Sequence, residues 1–164
     1  MLTEVEKSKF PVKIGETSAY LRFDNRAFLN IEKEGIDFLN ISDLGYRAAK
    51  SFLRNGLCCW ANEEEMDEGE IAEKLLQAYS PECISDMIAG GVMSALPEPV
   101  LGLKKATEKA PDFSHIHFLF CDIMGKPDGL FWALTMREVM KRWDRYAVFM
   151  GYKRAAVEVK RYDD

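Results

Sequence analysis

Apolar residues alternate with polar ones only near the N-terminus of this chain, and recur every three to four positions thereafter. Phe10-Pro-Val-Lys-Ile14 and Thr17-Ser-Ala-Tyr-Leu-Arg-Phe23 are short β-prone runs separated by Gly15-Glu16, a two-residue connection with glycine first. That pattern predicts one hairpin. Ala19, Leu21 and Phe23 fall on one face of the second run and face the helices that follow, while Pro11, which cannot donate to a ladder, places the first run at an edge.

From Asp24 onward the period is helical. Asp24 is placed to cap a helix from Asn25 to Glu34 with Ala27, Phe28 and Ile31 on its apolar face, and Gly35 is placed to end it. Asp43 is expected to open a second helix carrying Leu44, Ala48, Phe52, Leu53, Leu57 and Trp60. Asp67 with Glu70 forms an Asp-x-x-Glu capping pair for a third, and Ser80-Pro-Glu82 starts a fourth that Pro97 stops. Residues 97–111 hold three prolines and little periodicity, and read as a linker. Beyond it the pattern predicts a short apolar helix from Ser114 to Met124 closed by Gly125, a turn at Lys126-Pro-Asp-Gly129, and a last helix opened by the capping box Thr135-x-x-Glu138. The expected fold is mainly α, with a short N-terminal β-hairpin packed on a helical domain over residues 1–96, a linker over 97–112, and a smaller helical C-terminal unit with a basic tail over 113–164.

Composition narrows the function. The 164 residues are 48% hydrophobic and 30% charged, enough to bury a core, and no apolar run approaches the ~20 residues needed to span a bilayer. No signal-peptide pattern is visible at the N-terminus, so the reading is a cytoplasmic protein with no membrane partner. The net charge of −5 argues against nucleic acid as a partner. The charge is unevenly placed: eight Lys and Arg against five acids from Arg137 onward make that end +3, leaving −8 for the preceding residues.

Cys58, Cys59, Cys83 and Cys121 lie in apolar periodic segments and read as buried reduced thiols. His117 and Cys121, four apart on a helix, are the one pair able to share a metal ion, while His115 points elsewhere; zinc would need about two more ligands, so the expectation is no metal and no cofactor. No nucleophile elbow or phosphate loop occurs, Gly90-Gly91 reads as a site of close helix packing or a kink, and the acids from Glu63 to Glu70 read as a solvated run. These features predict a binding protein rather than an enzyme. Trp60 and Trp143 are each either core or interface anchors.

The order of the pieces resembles the tail assembly chaperones of long-tailed bacteriophages and prophage elements. The resemblance lies in Leu21-Arg-Phe-Asp24 leading into Ala27 to Gly35 with its Glu-x-x-Gly end, in Leu53-x-x-Gly56-Leu57 followed by an acidic loop, in Ala95-Leu-Pro97, and in Met124-Gly-Lys-Pro-Asp-Gly-Leu-Phe-Trp132 with Thr135-x-Arg-Glu138. It implies a cytoplasmic chaperone in the bacterial host that binds the tape-measure protein and recruits tail-tube subunits, then leaves the finished particle. The candidate groove for tape-measure helices is Leu53, Leu57 and Trp60, which are alternatively core. The candidate tail-tube contacts are Arg137, Arg142 and Arg145, which alternatively only solvate their helix. A small helical adaptor or regulatory protein of a mobile element remains the second reading, a metal-dependent or thiol enzyme the third, and homo-oligomerisation stays open.

Overall fold

The computed structural model describes residues 3–39, 41, 44–97 and 112–152; the linker proper and the basic tail fall outside the described residues. A short helix α1 (Glu4–Lys7) precedes strands β1 (Phe10–Ile14) and β2 (Thr17–Leu21), which pair antiparallel with Val12 opposite Ala19. Gly15 has φ of +62° and Glu16 does not follow it into positive φ, the signature of the glycine-first hairpin turn that the sequence predicts. The fold is mainly α: helices α2 (Asn25–Lys33), α3 (Tyr46–Glu63), α4 (Glu68–Ala78) and α5 (Pro81–Ala95) follow, then α6 (Phe113–Phe118), α7 (Asp128–Ala133) and α8 (Met136–Phe149).

Local chemistry sets most of these boundaries. The side chains of Asp24, Asp67 and Ser80 accept hydrogen bonds from the amides of Ala27, Glu70 and Cys83, satisfying donors that a helix start leaves unpaired. Thr135 and Glu138 form both halves of a capping box on α8. Three boundaries depart from the sequence reading. Helix α3 begins at Tyr46 behind Gly45, which offers no capping side chain, rather than at Asp43. The helix after the linker does not stay α-helical to Met124: α6 passes into a π-helical turn over Leu119–Ile123 before Gly125, at φ +64°, ends it. Lys126 to Gly129 is not a free turn, because Pro127 caps α7 and Asp128 and Gly129 form its first turn.

Two buried clusters organise the chain. The larger joins the hairpin to α2–α5 around Phe23, Phe28, Phe52, Leu53, Leu57 and Ile88; the smaller gathers Ile116, Phe120, Phe131, Leu134, Met136 and Val139. Phe23 explains two glycines. Its ring lies in a slot between α3 and α5 where a Cβ on Gly56 or on Gly91 would come within 2.7 Å of it, and Gly90 makes similar room for Phe10. The Gly90-Gly91 pair therefore admits the hairpin's aromatic rings.

The clusters meet along a polar seam. The β2–α2 junction donates to the carbonyl end of helix α7: Asn25 N to Leu134 O and Asn25 Nδ2 to Phe131 O, both at 2.9 Å, and Arg22 Nη2 to Ala133 O at 3.0 Å. The same Arg22 Nη2 donates to Glu138 Oε2 at 2.8 Å, with side chains 10% and 3% exposed. Ser8, at the end of α1, donates to Glu138 Oε1 at 3.3 Å. Leu96 and Phe113 pack against both clusters.

Candidate functional site

The tape-measure candidates change place. Leu53 and Leu57 are fully buried and Trp60 is 4% exposed, so all three belong to the larger core. A stripe at helical spacing is the same whether it meets the protein's own interior or a partner. Open grooves on this unit lie elsewhere, one of about 380 Å³ between the hairpin turn and α4 and a second, more apolar one beside α3. This second cleft, of about 160 Å³, opens between α3, α4 and α5, with Tyr46, Leu76, Tyr79 and Ile84 among its walls. It is smaller than a typical small-molecule pocket.

The three arginines of α8 have three different environments. Arg137 is committed to the protein itself: its Nε donates to Leu96 O at 3.1 Å and its Nη2 to Met93 O at 3.4 Å, placing positive charge on the carbonyl end of α5, which has no basic residue of its own in its last turn. Its assignment to a tail-tube surface therefore gives way to a capping role. Arg142 is half-buried, and its Nη1 is enclosed without a protein hydrogen-bond partner. Arg145 is exposed. Arg142, Arg145 and Phe149 are separated by three and four residues, and of these the outer end of α8 presents Arg145 and the 85% exposed Phe149 to solvent.

Other apolar groups surround that end. Val148, Met150 and Tyr152 are exposed, and the Tyr146 ring meets Trp143 at a tilt and Tyr152 edge-on while its hydroxyl donates to Ile123 O at 3.2 Å. Trp143 is half-buried and outside both core clusters. The apolar spacing alone left Trp143 open between core and interface, because a terminal helical turn has the same spacing as the turns before it.

The thiols also differ from expectation. Cys83 is exposed, and Cys58, Cys59 and Cys121 are half-buried; all four are free. Burial pushes the Cys59 thiol up, reinforced by Asp24 and opposed by Arg22. Burial likewise raises Cys121, with Asp128 and Asp122 adding to the effect. His117 is not a buried core histidine: its side chain is 31% exposed, its Nε2 lies 2.6 Å from Asp128 Oδ1, and Cys121 Sγ is 3.5 Å from the same nitrogen. The sequence paired His117 with Cys121 but not with Asp128, which a fold-back at Gly125 brings round. His115 is exposed and outside this group. The acids from Glu63 to Asp67 are exposed.

No family model matches the chain, and no curated protein or solved structure matches it. Among the described residues, no helix is long and apolar enough to cross a membrane.

Proposed function

We propose that this chain is a tail assembly chaperone of the long-tailed phage type, a non-catalytic cytoplasmic protein that keeps a tape-measure protein soluble and brings tail-tube subunits to it. The observation that carries the reading is the outer end of α8, where the exposed Arg145 and Phe149 lie about one helical turn apart. Aromatic and arginine side chains together are the usual anchors of protein interfaces, and the exposed Arg145 guanidinium gains from an incoming carboxylate. An acidic tube surface would supply it. The cleft between α3, α4 and α5, rather than Leu53, Leu57 and Trp60, is the place for one apolar ridge of a tape-measure helix.

The test is co-expression of the full chain with the long helical protein and the tube protein encoded beside it. The soluble fraction of the first should rise, and the second should co-purify less well as salt increases. Phe149→Ala with Arg145→Glu should reduce tube capture and leave the tape-measure effect in place. If neither protein is affected by the intact chain, the chaperone reading is wrong; if the double variant captures tube protein as well as the parent, the α8 assignment is wrong.

A further inference from the structure

Three ligand atoms of the smaller unit converge across the Gly125 turn. His117 lies in α6, Cys121 in the π-helical turn that follows, and Asp128 at the first position of α7. Nε2, Sγ and the carboxylate oxygen all lie within 4.8 Å of one another. One ring nitrogen faces both the thiol at 3.5 Å and the carboxylate at 2.6 Å, yet it has a single proton or lone pair to offer and satisfies only one of them. A cation placed between them satisfies all three.

The spacing suits such an ion. With metal–sulfur and metal–nitrogen bonds of about 2.3 and 2.05 Å at a tetrahedral angle, the sulfur and nitrogen stand roughly 3.5 Å apart. The observed Sγ to Nε2 separation is 3.5 Å. The nitrogen–oxygen pair must open from 2.6 Å to admit the ion; Asp128 is 67% exposed at a helix start and has room to swing. Its second oxygen is already oriented, because Trp132 Nε1 donates to Oδ2 at 3.1 Å, and the His117 ring packs edge-on against Phe131 at 4.8 Å between centroids. Such outer partners hold metal-binding groups in place. The π-helical turn supplies a second reason, since extra-residue helical turns recur at functional sites.

We propose that His117 Nε2, Cys121 Sγ and Asp128 Oδ1 bind one zinc-class divalent ion, with water in the fourth position on the open side. The soft thiolate, imidazole and carboxylate together favour zinc or cobalt over magnesium or calcium. Binding releases the thiol proton, and the neutral His117 ring keeps its one proton on Nδ1 so that Nε2 offers its lone pair. The ion then clamps the start of α7 to the π-helical turn, in a unit whose own buried cluster holds only six residues. This site stands apart from the Arg145 and Phe149 surface and does not depend on the chaperone reading.

The experiment is a titration of the reduced, metal-stripped full-length protein with Co²⁺ and then Zn²⁺. One equivalent of cobalt should give thiolate-to-cobalt charge-transfer absorption, zinc should displace it, and either metal should raise the melting temperature. Cys121→Ser and His117→Gln should remove the band, Trp132→Phe should weaken binding about 10-fold, and His115→Gln should leave it unchanged. A variant with Cys58, Cys59 and Cys83 all changed to Ser keeps Cys121 alone and should retain the band, which decides the matter even if Cys121→Ser does not fold. No thiolate band in the parent, a band that survives Cys121→Ser, or its loss in the triple variant would overturn the proposal.

Discussion

Removing the Glu138 carboxylate should cost this fold more than removing any other charge in the seam. Glu138 is 3% exposed and accepts from Arg22 Nη2 at 2.8 Å, from the Thr135 amide at 2.7 Å and from Ser8 Oγ at 3.3 Å. In Glu138→Ala, the Arg22 guanidinium stays buried without its main counter-ion; Asp24, at 4.0 Å, is too distant to replace it. Breaking a buried pair by removing one partner costs about 3–5 kcal/mol, and the orphaned Thr135 amide adds about 1 kcal/mol. For a chain of this size each kcal/mol shifts the midpoint by roughly 2–4 °C, so a fall of about 10 °C or more is expected in a thermal scan followed by circular dichroism. Arg22→Met should be similarly damaging, since it strands the carboxylate. The double variant Arg22→Met with Glu138→Ala should lose less than the two single changes together, by about 1–3 kcal/mol of coupling in urea denaturation. Strict additivity, or a Glu138→Ala midpoint equal to that of the parent, would mean that the seam contributes nothing to holding the two clusters together.

Gly91→Ala should destabilise by about 1–2 kcal/mol in urea denaturation, because overpacking outweighs the helix-propensity gain: its Cβ would stand 2.7 Å from the Phe23 ring and 3.2 Å from Leu21 Cβ. Gly129→Ala, in the first turn of α7 with nothing within 4 Å, should be neutral or mildly stabilising in the same assay. Burial raises the Asp24 carboxyl above its ordinary range against the pull of the Ala27 amide and Arg22, so the folded state holds this proton more tightly than the unfolded chain. Its charged form therefore costs stability at neutral pH. Asp24→Asn, which keeps the cap, should raise the melting temperature there, and the advantage should vanish as pH falls below the ordinary aspartate value of about 3.9.

Local signals in the sequence carried over well, and distant ones did not. The hairpin turn at Gly15 and the caps at Asp24, Asp67, Ser80 and Thr135 are each specified by residues within three or four positions of one another. Pro127-Asp-Gly129 misleads because the residues that make a turn are also those that open a helix. The π-helical turn is silent in the pattern, since one extra residue leaves the apolar spacing of Ile116 and Phe120 intact. Glu138 declared its capping partner but not Arg22, which lies 116 residues away. The site residues fared least well for the same reason: Leu53, Leu57 and Trp60 have the spacing of a face, and only the packing of α4 and the hairpin decides which way that face looks.

The seam also has a history within each round of synthesis. A ribosome releases the β2–α2 junction long before α7 and α8, so Arg22 and Asn25 exist for a time without the carbonyls and the carboxylate they later meet. During that interval residues 12–95 already contain every fully buried residue of the larger cluster, although Phe113, which packs on Phe28 and Phe38, has yet to arrive. At this junction the nascent half-chain therefore shows water a hydrated guanidinium and an amide where a purely apolar junction would show bare hydrocarbon. Using polar groups for part of the last docking step leaves the first part of the chain a smaller sticky face, around Phe28 and Phe38, while it waits for the second.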